Sequence, residues 1–379
     1  MKINNNIKNI LEASSSIRLK LLRSIACLAL AALAAPAMDH RPDQSAGYEQ
    51  TDLVADLPGA AILQDTNLVN AWGISFSSTS PFWISDNGSG LSTLYAVTNN
   101  ASSSPSVVKQ GLEVILPGAG NPTGQLFNNT GAFHNDSFIF ASEDGTISGW
   151  RGALGPAAEV LTNRATAVYK GITLVTNLGP PVLLAANFAE GTVDAYDTNM
   201  NQTQFADPRT PAGYAPFNVQ SIAGFIFVTF AKQDEFKHDD VKGVGHGLID
   251  MFDLRHKRFQ RFATGSDAGG RLTAFDSPWG MALSPRSFGT HGDQLLVGNF
   301  GSGTIMAFEA NGEFTGFLED TLGQTISIDG LWGLAFGNGG KAGVPGTLYF
   351  TAGPNDESDG LFGSLVPVIP QRNHGGGRY

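Results

Sequence analysis

The sequence predicts an all-β protein, a six-bladed β-propeller made of four-stranded antiparallel blades. Its composition is the first indication, since 47 of 379 residues are glycine and only 15% are charged, which is typical of turn-rich β proteins. Internal repetition is the second. "LLAANFAEGTVDAY" (183–196) and "LLVGNFGSGTIMAF" (295–308) share a pair of leucines, an Asn-Phe pair, a turn with glycine and an alternating apolar strand. Repeats of this kind indicate propellers or solenoids.

Six copies of one unit follow each other along the chain. Each has an apolar strand, often opened by Trp-Gly, then a strand ending in Asp, Asn or Glu, a tight turn, an alternating third strand and a weaker fourth. The copies span 70–98, 136–150, 172–197, 217–253, 277–309 and 330–365. Such four-stranded units are typical of propeller blades. A seventh blade within residues 100–135 is the alternative.

The segment before the first copy predicts how the ring closes. "YEQTDLVADL" (48–57) has the composition of a strand. We expect it to complete the last blade, which would remove an open sheet edge. The propeller is therefore predicted over 48–368, with a flexible linker at 38–47 before it.

Residues 1–37 have the features of a secretory signal peptide. "RLKLLR" is basic, the following "SIACLALAALAAPA" is apolar, and Ala-Pro-Ala at 35–37 suits a signal peptidase. The apolar run is short for a membrane span. We expect a protein secreted to the periplasm or the cell exterior with no membrane span after cleavage; an uncleaved anchor is the alternative. Cys27, the only cysteine, lies in this segment, so the mature chain would have no disulfide.

The charge balance restricts the partners. A net charge of −11 argues against nucleic acid and anionic membranes, both of which attract basic surfaces. A small molecule, a glycan or a protein are the expected ligands, and we expect a monomer. The last residues, 369–379, contain "NHGGGRY" and are predicted to be a disordered tail.

Four long motifs carry a resemblance to a known family. They are "FAKQDEFKHDDVKGVGHGLIDMFD", "SPWGMALSP", "LLVGNFGSGTIMAF" and "YFTAGPNDESDGLFG". Together, over about 48–365, they resemble a family of exported bacterial propeller proteins, some with a PEP-CTERM sorting signal, and the blade pattern is similar to NHL and SMP-30-type propellers. The resemblance implies a propeller and export but no reaction. The C-terminal "VPVIPQRNHGGGRY" lacks the apolar helix of the sorting signal, so anchoring is not implied.

In a propeller, the starts of the innermost strands and the turns between second and third strands share one rim of the central channel. The ligand-binding residues predicted at this rim are Trp72, Lys170, Asn218, Trp279 and Trp332 at strand starts, and Asp86, Glu143, Asn187, Asn299 and Asn355 at turns. Asn and Asp also suit tight turns for their own sake, and Trp packs well between sheets. A purely structural role is therefore the alternative for each residue.

A divalent cation, Ca²⁺ above all, is the cofactor that the rim could hold, because hard cations take several oxygen ligands. SMP-30-like lactonases place a metal on the propeller axis with Glu, Asn and Asp from different blades. The resemblance implies a similar role for Asp86, Glu143, Asn187 and Asn299, but Trp72 stands where those enzymes have a glutamate.

Two insertions, 233–246 and 353–360, enlarge the turns of blades four and six and should overhang the same rim. The first is rich in metal-ligating side chains, among them Asp234, His238, Asp239 and Asp240. A solvated acidic loop, balanced by its own lysines, is the alternative.

No HExxH, GxSxG or P-loop pattern occurs in the sequence, so whether the protein is an enzyme stays open. The favoured hypothesis is a secreted binding module with its site at the channel mouth. The alternatives are a metal-dependent hydrolase or lactonase using the same rim, and a structural or matrix-associated protein.

Overall fold

The structure is a computed structural model that describes residues 45–99, 105–264 and 274–369. It contains six antiparallel blades of four principal strands, arranged as a six-bladed β-propeller. The prediction of six blades is therefore confirmed. The predicted signal peptide, most of the linker and the predicted tail beyond residue 369 lie outside the described residues.

The strands are counted within each blade from the axis outward. The first strands of blades 1 to 6 are β3 (Ala71–Ser75), β8 (Pro122–Phe127), β12 (Tyr169–Val175), β16 (Tyr214–Ile222), β20 (Pro278–Leu283) and β24 (Leu331–Phe336). The second strands are β4 (Phe82–Asp86), β9 (Phe138–Ser142), β13 (Val182–Asn187), β17 (Phe225–Lys232), β21 (Leu295–Asn299) and β25 (Leu348–Ala352). The third strands are β5 (Leu91–Asn99), β10 (Thr146–Trp150), β14 (Thr192–Tyr196), β18 (Gly247–Asp253), β22 (Ile305–Phe308) and β26 (Leu361–Pro367). The fourth strands are β6 (Pro105–Lys109), β11 (Glu159–Asn163), β15 (Gln202–Phe205), β19 (Arg258–Ala263), β23 (Phe314–Phe317) and β1 (Tyr48–Ala55). Two short strands, β2 (Leu63–Gln64) and β7 (Val114–Ile115), pair with β1 and β5.

Burial explains why the second strands are clear in the sequence and the fourth strands are weak. β4 and β9 are buried at every position, because both faces pack against neighbouring blades, and such strands are apolar without alternation. β6 alternates between half-buried and exposed positions. An outer strand therefore carries little apolar signal.

The ring closes through the N-terminal strand. β1 pairs antiparallel with β26, with Tyr48 opposite Pro367 and Ala55 opposite Leu361, so the predicted fourth strand of the last blade is confirmed. The Tyr48 hydroxyl also donates a hydrogen bond to the Phe288 carbonyl of blade 5 at 2.9 Å. The first and last described strands are thus held in one sheet.

The stretch 100–135 does not add a seventh blade. Its described part supplies β6 and β7 to blade 1 and then β8, the first strand of blade 2. The second copy, aligned at 136–150 in the sequence, therefore begins one strand earlier. β8 has few large apolar residues, which is why the repeat pattern missed it.

The Trp-Gly openings have a steric cause. Around the axis, each first strand packs against the first strand of the next blade. A Cβ on Gly73 would lie 2.3 Å from the Thr123 carbonyl oxygen, and one on Gly280 would lie 2.2 Å from that of Trp332. No side chain fits in these spaces, so glycine allows neighbouring blades to approach at the axis.

The helical segments of the described residues are three single 3-10 turns, Phe133–Asn135, Gly152–Leu154 and Gly289–His291. In this part of the chain, no helix has the length and apolar character needed to span a bilayer.

Candidate functional site

Six aromatic side chains pack together at the end of the channel where the first strands begin. We call Trp72, Phe188, Phe217, Trp279, Phe300 and Trp332 the axial aromatic cluster, and each is at most 5% exposed. The Trp332 ring stacks on Trp72 with centroids 3.5 Å apart and on Phe300 at 3.8 Å. The three predicted tryptophans therefore do meet at the axis. They meet as a buried core, which agrees with the packing role given as their alternative.

The two residues of the repeated Asn-Phe pair have different roles. Phe188 and Phe300 belong to the axial aromatic cluster. Asn187 is fully buried and donates to Asp194 Oδ2 in its own blade at 3.1 Å, and Asn299 bonds similarly to a threonine of its own turn. Neighbouring residues of a strand project to opposite sides, so only one member of the pair can reach the axis.

Asp86 behaves like these two asparagines. It is fully buried, burial raises its pKa, and its Oδ2 accepts a hydrogen bond from the Thr93 backbone within blade 1 at 3.1 Å. Asp86, Asn187 and Asn299 are thus held inside their own blades. Their hydrogen bonds lie within these blades, and the axial metal set that the lactonase resemblance implies stays a prediction.

In blades 1 and 2, polar residues occupy the place that Phe188 and Phe300 have in blades 3 and 5. They are Asn87 and Glu143, and Asn87 Nδ2 donates to Glu143 Oε2 at 3.1 Å. Asn87 was missed by the sequence analysis, which chose its neighbour Asp86. Counting one residue past the end of each second strand would have found it.

Lys170 is the centre of the charged groups at this rim. It is 1% exposed, its Nζ donates to Glu143 Oε1 and to Asp239 Oδ1, the latter at 2.9 Å, and it lies 5.2 Å from the Trp72 ring centroid. We call Glu143, Lys170 and Asp239 the rim ion cluster. It joins blades 2, 3 and 4 above the axial aromatic cluster.

Burial and charge act in opposite directions on this cluster. Burial alone would lower the pKa of Lys170, but the carboxylates of Glu143 and Asp239 outweigh it and raise the pKa above its ordinary value. Burial would raise the pKa of Asp239, and the Lys170 ammonium more than offsets this and lowers it. Lys170 and Asp239 are therefore both charged near neutral pH, and the ammonium lies between two acidic side chains.

The insertion at 233–246 reaches the rim from blade 4. Asp239 binds Lys170, and Lys242 Nζ lies 4.6 Å from the Phe300 ring centroid. At the outer part of the same loop, Phe236 is 79% exposed. The loop therefore combines contacts at the axis with an aromatic side chain that faces solvent.

The insertion at 353–360 reaches the rim from blade 6. Glu357 Oε2 accepts a hydrogen bond from Asn70 Nδ2 at 2.7 Å, and Asp356 Oδ1 lies 3.7 Å from Lys242 Nζ. The two inserted loops thus contact one another although their blades are not adjacent. Both overhang the same rim, as the repeat pattern predicted.

Asn70 is a rim residue that the sequence analysis missed. It directly precedes the first strand of blade 1, has a positive φ of 47°, and its Oδ1 accepts a hydrogen bond from Trp332 Nε1 at 2.9 Å. Its amide also donates to Asn87 at 3.2 Å. Asparagine tolerates this backbone conformation, and an Asn just before Ala-Trp-Gly was the available signal.

Asn218 was predicted at the rim, but its neighbour Phe217 is the residue of blade 4 in the axial aromatic cluster. The register of β16 shifts by a bulge between Pro216 and Asn218, and a shift of one residue exchanges the two faces of a strand. Asn218 instead donates to the Trp279 carbonyl at 2.9 Å and lines a cavity at the other end of the channel.

Of the four predicted metal ligands in the first insertion, Asp239 belongs to the rim ion cluster and His238 contacts it. His238 and Asp239 have ligand atoms within 4.8 Å of one another and of Glu143. Asp234 instead accepts a hydrogen bond from the His238 backbone at 2.9 Å. For Asp240, the fourth predicted ligand, burial raises the pKa of the carboxyl above its ordinary value.

The last predicted rim residue, Asn355, makes its contact inside the second insertion. Its Nδ2 donates to Asp359 Oδ2 at 2.5 Å. Its positive φ of 55° fits the turn role of asparagine.

One indole N–H of the axial aromatic cluster has no acceptor among the described residues. Trp279 Nε1 donates to the Lys170 carbonyl at 2.8 Å, and Trp332 Nε1 to Asn70. Trp72 Nε1 is buried and makes no hydrogen bond within the described parts of the chain. Buried polar groups are nearly always paired, so an oxygen supplied by a bound molecule or a water would complete this site.

Comparison with known proteins identifies proteins of similar sequence and solved structures of similar fold. No protein-family model matches the chain. Two uncharacterized proteins of Acanthamoeba polyphaga mimivirus are 27% and 28% identical; the alignments cover 83% and 80% of this chain, and 78% and 81% of theirs.

Solved structures with a similar fold have different functions. An auxiliary nutrient binding protein from Bacteroides ovatus has a TM-score of 0.52 at 12% identity, covering 86% of this chain and 77% of its own. Virginiamycin B lyase from Staphylococcus aureus has a TM-score of 0.50 at 12% identity, covering 85% and 100%. At this identity the likeness shows a propeller fold and nothing about the site.

Proposed function

We propose that the protein is a ligand-binding propeller whose site is the rim formed by the rim ion cluster, Trp72 and the two inserted loops. The observation that supports this most directly is the unpaired indole N–H of Trp72 beside the buried ammonium of Lys170. Long loops in a compact domain are usually functional. Here one loop contacts Lys170, beside the Trp72 ring, and the other contacts Asn70, two residues before Trp72.

The chemistry of the rim indicates the ligand class. Asp239 is 63% exposed at its side chain and His238 is 47% exposed, so both can contact a molecule from solvent. An acceptor oxygen would satisfy Trp72, and hydroxyl or amine donors would satisfy Asp239. We therefore propose a small polar molecule or a glycan that carries both donors and acceptors, with exposed Phe236 as an apolar contact at the edge.

A thermal-shift screen tests this proposal. Neutral sugars, amino acids and polyamines would be added to the protein and to the variants Asp239→Ala and Phe236→Ala. Both substitutions are at exposed positions, so we expect the variants to fold. A ligand of the rim should raise the Tm of the unchanged protein by mass action and raise that of Asp239→Ala by much less. Equal shifts in all three proteins, or no shift with any compound, would contradict the rim site.

A divalent cation is the second candidate ligand, because Glu143, His238 and Asp239 lie close enough together to share one ion. The Lys170 ammonium already pairs with Glu143 and Asp239, so a cation would have to displace it. Measuring the Tm with added Ca²⁺ and with EDTA tests whether a cation binds at the rim. A cation-dependent Tm that disappears in Asp239→Ala supports this candidate and, with it, the hydrolase alternative; an unchanged Tm counts against both.

Export remains a proposal that rests on the sequence of residues 1–37 alone. Expression of the full chain in a bacterium, followed by mass spectrometry of the mature N-terminus, tests it. Cleavage near Ala37 is expected, and an intact N-terminus in the cytoplasmic fraction would contradict export.

A further inference from the structure

The central channel contains a cavity at the end opposite the rim. Its volume is about 380 Å³, and the first strands of all six blades contribute to its wall, which is within the size range of small-molecule pockets. Most of the contributing residues lie in the middle or later parts of these strands, such as Thr173 and Ala335, and Phe76 directly follows the first strand of blade 1. The cavity therefore belongs to the lower face, where the first strands end.

The axial aromatic cluster separates this cavity from the rim ion cluster. Trp279 lines the cavity and also packs against Trp72 and Trp332 at centroid distances of 6.2 and 5.9 Å. Lys170 lies on the Trp72 ring, toward the strand starts. A molecule in the cavity would thus be shielded from the charges of the rim.

The wall of the cavity has no charged side chain among the described residues that form it. An ion that entered would lose its water without gaining a counter-charge, which is strongly unfavourable. The cavity therefore selects against carboxylates and amines. This is the reverse of the rim, where every described group of the ion cluster is ionisable.

The wall combines apolar and hydroxyl groups. The aliphatic side chains are those of Ile74, Leu126, Ile172 and Leu334, and the hydroxyls are those of Ser75, Thr173 and Ser221. Thr173 Oγ1 accepts a hydrogen bond from the Ser221 backbone at 3.0 Å and keeps its own hydrogen for another acceptor. A molecule that combines an apolar ring or chain with a hydrogen-bonding group would match this wall.

The amide side chains of the wall are occupied by contacts between blades. Gln125 Nε2 donates to the carbonyls of Gly73 and Trp83, and Gln220 exchanges two hydrogen bonds with the backbone of Met281. These bonds fix the shape of the cavity. The hydroxyls are then the groups left for a ligand, so few polar contacts and a preformed shape are expected.

We propose that this lower cavity is a second binding site, specific for small uncharged molecules that combine an apolar ring or chain with a single hydrogen-bonding group. It is independent of the rim site and of whatever binds there.

Three phenyl probes of similar size test the proposal on the unchanged protein by saturation-transfer NMR: benzamide, benzoate and benzylamine. Benzamide has an apolar ring and a neutral polar group, whereas the other two carry a negative and a positive charge. We expect saturation transfer to benzamide at least fivefold stronger than to either charged probe. Equal transfer to all three, or none to benzamide, would overturn the proposal.

Variants locate the binding. Ala335→Trp and Ser221→Trp each add an indole to the cavity wall, from blade 6 and from blade 4, and either should reduce the benzamide signal at least fivefold. Val160→Trp adds the same bulk on an exposed part of an outer strand and should leave the signal unchanged, as should Asp239→Ala at the rim. A benzamide signal that persists in both filled variants, or that is lost in Asp239→Ala, would place the binding elsewhere.

If neither filled variant folds, the comparison of the three probes and the milder variant Ser221→Ala test the proposal. Ser221→Ala should decrease the benzamide signal about threefold, because one hydrogen bond is lost.

Discussion

The two ends of the central channel are made by the same six strands and yet have opposite chemistry. Where the strands begin, a buried lysine lies between two acidic side chains above six packed aromatic rings. Where the strands end, an uncharged cavity of about 380 Å³ remains. Residues of the same blade therefore lie near charged groups at one end of the channel and in an uncharged cavity at the other.

The upper end combines residues of the regular repeat with residues outside it. Lys170 and Glu143 lie at repeated positions, whereas Asp239 and Glu357 come from inserted loops. The lower cavity is made mainly from the repeated strands. The inserted loops therefore add charged groups to one end of the channel, which is a common way for a symmetric fold to acquire an asymmetric site.

The largest effect is expected where the two ends meet. Trp332→Ala removes the ring that stacks on both Trp72 and Phe300. Deleting a buried aromatic of this size costs about 3–5 kcal/mol, so urea unfolding should show a loss in this range. Trp150→Ala, at a half-buried indole away from the axis, is the control and should lose less. An equal loss in the two variants would mean that the axial aromatic cluster is not a special centre of stability.

Removal of the buried charge at the rim should have the next largest effect. Lys170→Met leaves Glu143 and Asp239 without their cation, and breaking a buried pair typically costs about 3–5 kcal/mol. Because the Asp239 side chain is 63% exposed, water screens part of this cost, and about 2–3 kcal/mol is expected. The double variant Lys170→Met/Glu143→Gln should recover part of the stability. If it is less stable than Lys170→Met alone, the two groups are not electrostatically coupled.

Two carboxyls of the rim, those of Glu357 and Asp239, should affect the pH dependence of stability in opposite directions. Burial raises the pKa of Glu357 above its ordinary 4.5. The protonated Glu357 carboxyl therefore contributes to the free energy of unfolding in full below pH 4.5, and this contribution is lost as the pH rises through the pKa of the folded state. The Lys170 ammonium lowers the pKa of Asp239 below 3.8 against the effect of burial, so its contribution is present above that pH and is lost on acidification.

Glu357→Gln should therefore flatten the decline of Tm above pH 4.5, and Asp239→Asn should flatten the decline below pH 3.8. Thermal unfolding from pH 3 to 8, on the scale of the ordinary carboxyl pKa values, measures both. Variant curves that run parallel to that of the unchanged protein would contradict the assignment.

The smallest effect is expected for the contact between the two inserted loops. Lys242 is 42% exposed at its side chain, and its partner Asp356 is fully exposed, so water screens the pair. Lys242→Ala should leave the Tm close to that of the unchanged protein and make residues 233–246 easier to cleave by a protease. A large decrease in Tm would show that the loops carry part of the stability of the fold.

Much of the fold could be predicted because the sequence of each blade contains a recognisable pattern of strands and turns. The six repeats, the Trp-Gly openings and the strand at 48–57 all follow from local composition and spacing, and the structure agrees with them. Blade 2 was harder, since its first strand, Pro122–Phe127, has few of the apolar residues that make a strand visible.

The candidate site was predicted only in part. Lys170, Glu143 and Asp239 were chosen and do come together, because strand starts and second–third turns share a rim in any propeller. Asp86 and Asn218 were each chosen one residue away from the position that faces the axis. The pattern of residue types could not decide this, since both neighbours fit a turn.

The sequence by itself determined the number of blades, the closing strand and the face on which the inserted loops lie, because these depend on periodicity and on short-range turn chemistry. Only the tertiary structure decided that Phe217 rather than Asn218 faces the axial aromatic cluster, since a bulge in the first strand of blade 4 shifts the register there. It also decided that Lys170 is buried against Asp239, 69 residues further along the chain, and that the six first strands leave a cavity at the other end with no charged side chain among the described residues of its wall.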